Sequence, residues 1–264
     1  MIDAVSTTER IGKTILDMIE EWGRAWIFLF HLLVAQFRPP FRLHLVLDQL
    51  FHIGVHSTLV ISLIGGFTGA VMAVQGEYTL SKFGATAFTG SAVALRLIRE
   101  LGPVLTALMV IGRAGSAITA EIGIMRITEQ IDALRSMAVD PMKYLMGPRM
   151  LAGLIAVPLL TGIFVVVGIA GGYLVGVGLL GLSSGTFMSQ MISAVDMIDL
   201  YCGFIKAIVF AFIFGWVSCY KGFTCGFGAV GVNRATTQSV VISSVAVLVS
   251  DYFLTSLLTR LLFE

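Results

Sequence analysis

The sequence is poor in charged residues for its length. Only 12% of its 264 residues are Asp, Glu, Lys or Arg, while 57% are hydrophobic; a soluble domain has about 25% charged residues. A chain with so few polar side chains cannot cover a water-soluble globule, and it is too apolar to be disordered. The formal net charge of +1 lacks the basic excess of a nucleic-acid-binding protein. These values exclude an ordinary soluble enzyme and indicate a membrane protein.

Cysteine and metal-ligand patterns are also scarce. The cysteines lie in or beside apolar stretches without C-x-x-C spacing, at Cys202, Cys219 and Cys225. They indicate neither a disulfide framework nor a zinc site. The four histidines have no carboxylate at a metal-ligand spacing, so we expect no metal. Gly12-Lys13-Thr14 resembles the end of a P-loop, but Thr7 stands where that motif requires Gly, so we expect this chain to bind no ATP itself.

Long apolar segments are what the sequence has instead. Five of them are long enough to cross a bilayer, which takes roughly 20 residues: Val55–Val74, Ala92–Ala120, Met150–Leu180, Tyr201–Cys219 and Val240–Leu262. The segment Trp26–Phe37 is shorter and stops at Arg38-Pro39-Pro40, which is typical of a helix in the membrane interface. The sequence predicts an all-α polytopic membrane protein, with N-terminal cytoplasmic or interfacial helices in residues 1–50 and one transmembrane domain in residues 51–264.

The basic residues predict the orientation. They concentrate in residues 1–50, 113–149 and 219–237, whereas residues 181–199 contain no Lys or Arg. Because loops rich in Lys and Arg stay on the cytoplasmic side, we expect the N-terminus and the central loop in the cytoplasm and the C-terminus outside.

Glycines at four-residue spacing indicate how the spans pack. Gly168, Gly172 and Gly176 form one row, and Gly65 and Gly69 form another. Small residues at this spacing allow two helix backbones to approach closely in lipid. The spacing favours helix packing over a direct functional role.

A cluster of charges lies near the start of the second apolar segment. Arg96, Arg99, Glu100 and Pro103 share one helical face. These charges either face a cavity, where a guanidinium could bind a phosphate, or are solvated at the external interface. If they are buried, we expect Arg99 and Glu100 to pair with each other or with a neighbouring helix.

Three aspartates follow later in the chain. Asp196 and Asp199 lie in the predicted external loop, where we expect them to be solvated. Asp251 lies inside the last apolar segment, so it must pair with another group or line a cavity.

The end of the first span is a second candidate binding surface. Met72, Gln75 and Thr79 share a helical face, and Leu80 and Phe83 follow shortly after. Methionine adapts to irregular apolar ligands such as acyl chains. Core packing explains the same spacing equally well.

An amphipathic stretch follows the second span. Ile124, Ile127, Ile131 and Leu134 recur at helical spacing, and Pro141 ends the pattern. The pattern predicts a cytoplasmic helix over about residues 121–137. Such a helix either docks into a groove of a soluble partner or rests on lipid.

Two long runs carry a resemblance to a known family. The run Ala94–Gly153, which begins ALRLIRELGP and includes AGSAITAEIGIMRITEQIDALRSMAVDP, resembles the core of the MlaE (YrbE) permeases. Residues Gly231–Thr255, GVNRATTQSVVISSVAVLVSDYFLT, resemble the last cytoplasmic turn and span of that family. The likeness extends over nearly the whole chain from about Trp22.

The resemblance implies a permease subunit of an ABC transporter in the bacterial inner membrane. Permeases of this family form a homodimer with cytoplasmic ATPases of the MlaF kind, a STAS-domain protein of the MlaB kind and a periplasmic hexamer of MCE proteins of the MlaD kind. These systems move phospholipids between the inner membrane and the periplasmic route to the outer membrane. The resemblance therefore implies no covalent chemistry on this chain, no cofactor, and ATP hydrolysis on a partner subunit.

The resemblance also implies roles for particular residues. The implied lipid-pocket positions are Met72, Gln75, Leu80, Phe83, Arg99 and Glu100. Met72 and Phe83 stand where the family pattern has Leu and Tyr, so position 83 has no hydroxyl for a headgroup hydrogen bond and keeps only apolar contact with acyl chains. Residues 121–137 become the coupling helix that docks on the ATPase, and its polar candidates are Glu121, Arg126, Glu129, Gln130 and Asp132.

Two other functions compete with this interpretation. A stand-alone secondary transporter or channel would use Arg99, Glu100 and Asp251 as an ion relay and would act without an ATPase. Such transporters often contain internal repeats, and the two halves of this sequence show no convincing similarity. A membrane scaffold would leave the intramembrane charges unexplained.

Overall fold

The computed structural model describes the backbone of residues 2–36 and 43–263, and this part of the chain is helical with no strand. The helices are α1 Ile2–Gln36, α2 Leu43–Ser81, α3 Thr86–Ile127, α4 Gln130–Ser136, α5 Met142–Gly178, α6 Ser184–Ala194, α7 Met197–Phe223 and α8 Gly228–Phe263. Helices α2, α3, α5, α7 and α8 are long and apolar enough to cross a membrane. The all-α polytopic fold with five spans is confirmed.

The spans are longer than their apolar segments. Helix α2 begins at Leu43, so the boundary placed between residues 50 and 51 falls inside a continuous helix. Residues 219–237, expected to be a loop, are helical except for 224–227. Hydropathy marks the stretch that suits hydrocarbon, whereas backbone hydrogen bonding continues the helix into its polar flanks.

One π-helical turn in α2, two in α3 and one in α5 interrupt the regular α-helical hydrogen bonding. Those in α3 are Leu97–Leu101 and Ile111–Gly115. Such turns add a residue to one helical turn and often occur at functional sites. The first of them carries Arg99 and Glu100. The predicted common face of Arg96, Arg99, Glu100 and Pro103 assumed a regular α-helix, so the π-helical turn changes how these side chains are arranged.

The two glycine rows bring α2 and α5 together. A Cβ atom added to Gly69 would lie 1.8 Å from the carbonyl oxygen of Gly168, and one added to Gly172 would lie 3.1 Å from that of Gly69. A Cβ on Gly65 would meet the Phe164 carbonyl oxygen at 2.8 Å. The predicted packing role is confirmed, since no side chain fits between these backbones.

Helix α1 is one 35-residue helix that begins at Ile2, well before the predicted interfacial segment starts at Trp26. Its Trp26 and Phe28 rings pack against Trp216 and Tyr220 of α7, with centroids 5.1 and 5.5 Å apart. Leu32 is fully buried. The predicted end of the interfacial segment at Phe37, and the stop at residues 38–40, lie outside the described residues. These ring contacts pack α1 against the C-terminal part of α7.

The region after the second span is not one helix. Helix α3 ends at Ile127, Glu129 has a left-handed φ of 57°, and α4 begins at Gln130. The expectation of a continuous helix over residues 121–137 is therefore wrong. The break turns the chain so that Ile131, on α4, is fully buried.

Candidate functional site

Arg99 pairs with Asp199, which joins α3 to the first turn of α7. Its Nε and Nη2 atoms both contact Oδ1 of Asp199. The side chain of Asp199 is 1% exposed and that of Arg99 is 39% exposed. The expected pairing of Arg99 with a neighbouring helix is observed, whereas the expectation that Asp199 is solvated is wrong.

Asp199 also takes part in the cap of α7. Its Oδ2 accepts a hydrogen bond of 3.0 Å from the backbone N–H of Asp196, in a reciprocal capping box. Hydropathy alone placed these aspartates in a loop. The D-x-x-D spacing before an apolar run is the sequence signal that indicates the helix start.

The neighbours of Arg99 on α3 have different environments. Arg96 and Glu100 are exposed, and the two residues before Arg99, Leu97 and Ile98, are buried. Glu100 therefore lies at the surface of this chain, next in sequence to the partly exposed side chain of Arg99. This surface carries both signs of charge.

A second ion pair joins α7 to α8. Nζ of Lys206 lies 2.8 Å from Oδ1 of Asp251 and donates a hydrogen bond of 2.8 Å to Oγ1 of Thr255. The expectation that Asp251 must pair or line a cavity is met by this contact. Sequence reasoning missed Lys206, although a lone lysine within an apolar span is itself a signal of a buried partner.

The first-span candidates lie on an open apolar surface. Met72 is half-buried and lines a groove of about 370 Å³ with Leu63, Ile64, Phe67, Thr68 and Val71. Gln75 is exposed, Leu80 is half-buried, and Phe83 is 80% exposed. The lining of this groove does not include Arg99. Within one chain, the groove beside Met72 on α2 is thus separate from Arg99 and Glu100 on α3.

The coupling candidates surround the end of α7. Arg126 and Arg135 both contact Asp132, at 3.4 and 3.3 Å, and both lie over the ring of Phe223 at 5.5 and 5.6 Å. These contacts, together with buried Ile131, hold α4 against the spans.

Three other coupling candidates differ in their contacts. Glu129 and Gln130 are exposed at the break before α4. Oε2 of Glu121 instead lies 3.0 Å from Nη2 of Arg149, a residue of α5 that is 5% exposed. Glu121 therefore has a partner within this chain.

A small cavity adjoins this region. It measures about 250 Å³ and is lined by Arg126, Ile127, Phe223, Thr224, Cys225 and Phe227. Burial raises the pKa of the Cys225 thiol, and the nearby Arg126 guanidinium partly opposes that shift. Cys225 thus lies where it can report on the position of Arg126.

Five helical spans with ion pairs between them define a multi-span integral membrane protein. Residues 46–257 match the family described as Permease MlaE. The chain belongs to the MlaE permease family.

Its similarity to curated proteins extends over almost the full length. The chain is 43% identical over 257 residues to the intermembrane phospholipid transport system permease protein MlaE of Haemophilus influenzae, covering 96% of this chain and 98% of that one. It is 43% identical over 247 residues to a probable ABC transporter permease protein of Rickettsia felis, covering 94% and 95%. It is 37% identical over 210 residues to the chloroplastic protein TRIGALACTOSYLDIACYLGLYCEROL 1 of Arabidopsis thaliana, covering 80% and 60%.

Family membership does not favour the alternative of a stand-alone transporter or channel. The structure also separates the proposed relay residues, because Arg99 pairs with Asp199 and Asp251 pairs with Lys206.

Proposed function

We propose that this chain is the membrane-spanning permease subunit of an ABC transporter that moves phospholipids between the bacterial inner membrane and the periplasmic side. The observation that carries the proposal is the 43% identity, over 96% of the chain, to the phospholipid transport permease of Haemophilus influenzae. The subunit performs no covalent chemistry, and a separate cytoplasmic ATPase hydrolyses ATP.

Two surfaces support a phospholipid substrate. Arg99 has a partly exposed side chain, and a guanidinium suits a phosphate. The groove beside Met72 is apolar and open, as an acyl chain requires. Gln75, Leu80, Phe83 and Glu100 belong to the same proposed lipid pathway. These surfaces are separate within one chain, and a homodimer would place them around a common cavity.

The exposed start of α4 supports an ATPase as a partner. Glu129 and Gln130 are exposed, while Arg126 contacts Asp132 of α4 and lies over the ring of Phe223. Force applied to α4 would pass into α3, which continues from this end to Arg99. In the proposed orientation the N-terminus and α4 are cytoplasmic and the C-terminus is periplasmic. A STAS-domain protein and a periplasmic MCE hexamer complete the proposed assembly.

Photocrosslinking tests the lipid pathway in the assembled transporter. Probes at Met72 and Phe83 should recover phospholipid, and Arg99→Ala should lower that recovery severalfold. A probe at Leu174, 69% exposed on α5, is the control. Its recovery of bulk lipid should not respond to Arg99→Ala. The lipid-site assignment would be contradicted if the probes at Met72 and Phe83 recovered as much phospholipid in Arg99→Ala as in the unmodified protein, as the Leu174 probe should.

A further inference from the structure

The contacts of Asp199 fix its carboxylate completely. Both donors on one edge of the Arg99 guanidinium contact Oδ1, and the Asp196 backbone N–H occupies Oδ2. A carboxylate bound at both oxygens and buried at 1% exposure cannot turn away without losing a hydrogen bond. Asp199 is thus a fixed negative charge behind Arg99.

The backbone around the pair is equally constrained. A Cβ atom on Gly203, one turn after Asp199, would lie 2.4 Å from the carbonyl oxygen of Ile98. Helix α7 therefore lies directly against the π-helical turn that carries Arg99. This close contact sets the distance between the two charged side chains before any ligand binds.

The exposure of the pair is one-sided. The carboxylate is enclosed by protein, whereas 39% of the Arg99 side chain reaches the surface. A phosphate that approaches this surface meets a guanidinium whose charge is largely compensated by the carboxylate behind it. Because the Asp199 carboxylate offsets the positive charge of Arg99, the guanidinium attracts a further anion less strongly. Its N–H donors nevertheless stay in place.

We propose that Asp199 is a positioning residue that orients Arg99 and weakens its hold on the phosphate of a phospholipid headgroup, so that a bound lipid is released. This inference rests on the proposed function, since it assumes that Arg99 meets the lipid phosphate. A transporter must release what it binds, and an uncompensated arginine at the edge of a low-dielectric site would hold a phosphate tightly. The sequence-based pocket positions do not include Asp199.

The test measures lipid binding to the purified transporter complex in detergent. A fluorescent phospholipid is competed with phosphatidylglycerol, phosphatidylethanolamine or diacylglycerol, the last of which lacks a phosphate. Asp199→Asn keeps the shape and one acceptor oxygen but removes the charge. It should tighten binding of both phospholipids about tenfold, equal to about 1.4 kcal/mol, leave diacylglycerol binding unchanged, and slow lipid exchange between vesicles.

Asp251→Asn is the matched control, because it neutralises another buried carboxylate that pairs with α7 but does not contact Arg99. It should leave the relative affinities for the three lipids unchanged. Equal changes for all three lipids in Asp199→Asn, or the same changes in both variants, would overturn the inference.

If Asp199→Asn does not fold, Asp199→Ser takes its place, because it also removes the charge and keeps a short side chain whose oxygen can accept a hydrogen bond. A second comparison tests whether Asp199 acts through Arg99. Adding the Asp199 substitution to Arg99→Gln should change phospholipid affinity far less than tenfold, and an equal tightening with and without Arg99 would overturn the inference. The proposed phosphate contact itself fails if the unmodified complex binds diacylglycerol as tightly as phospholipid and Arg99→Gln changes neither affinity. The inference about Asp199 would then fail with it. Failure of the inference alone leaves that phospholipid preference intact.

Discussion

Lys206 and Asp251 form an ion pair between two membrane spans, with Nζ 2.8 Å from Oδ1. The lysine side chain is 3% exposed and the aspartate side chain 23% exposed. Because an unpaired charge in this environment is costly, the pair fixes α8 against α7. A third group, Oγ1 of Thr255, accepts a hydrogen bond from the same lysine.

Removal of one member of this pair should destabilise the protein more than removal of both. Lys206→Met or Asp251→Asn is expected to lower the free energy of unfolding by about 3–5 kcal/mol, since each leaves a buried charge unpaired. The double variant should recover much of that loss. Thermal unfolding in detergent measures the effect, and Arg24→Gln, which breaks an exposed pair with Glu20, is the control with an expected change below about 1 kcal/mol. Additive losses in the double variant would contradict the prediction.

The contact between α2 and α5 should not tolerate a methyl group at Gly69. Gly69→Ala places a Cβ 1.8 Å from the Gly168 carbonyl oxygen, so the helices must separate. We expect a loss of about 1–3 kcal/mol or more, as in other overpacked interiors. Gly162→Ala is a matched control, because a Cβ there has no neighbour within 4 Å. Similar unfolding temperatures for the two variants would show that this contact does not limit stability.

The coupling candidates should separate into structural and docking residues. Glu121→Gln weakens the pair with buried Arg149 and should lower stability by about 1–3 kcal/mol. Glu129→Arg changes an exposed side chain and should leave the unfolding temperature unchanged while reducing copurification of the ATPase severalfold. Pull-down of the ATPase alongside thermal unfolding measures both effects. Normal ATPase recovery with Glu129→Arg would argue against docking at this surface.

Alkylation of Cys225 should report on Arg126. Burial raises the pKa of this thiol above the ordinary value of 9.0, and the thiolate is the reactive form. At pH 7 to 9 the thiol therefore stays more protonated than a free cysteine, and its reaction with maleimide should be slower.

Substitution of Arg126 extends this prediction. Because the guanidinium lowers the pKa of Cys225, Arg126→Gln should raise it further and move the rate profile to higher pH. Mass spectrometry of the labelled peptide over a pH series measures the rates. The denatured protein provides the unshifted control, and a profile that coincides with it would contradict the raised pKa.

The sequence by itself determined the features that depend on local composition. Apolar length identified five spans because the bilayer requires about 20 residues per helix. Four-residue spacing identified Gly69 and Gly168 as packing positions because i and i+4 residues share a helical face. The intramembrane position of Asp251 was enough to require a partner, although not to name it.

Only the tertiary structure decided which distant groups meet. Asp199 is 100 residues from Arg99 in the chain, and its burial depends on the approach of α7 to a π-helical turn that hydropathy does not reveal. The break at Glu129, which turns the chain so that Ile131 is buried against the spans, is likewise visible only in the folded chain. Periodicity records which face of a helix is apolar, whereas the partner of a charge and the direction of a chain are set by contacts between helices that are far apart in sequence.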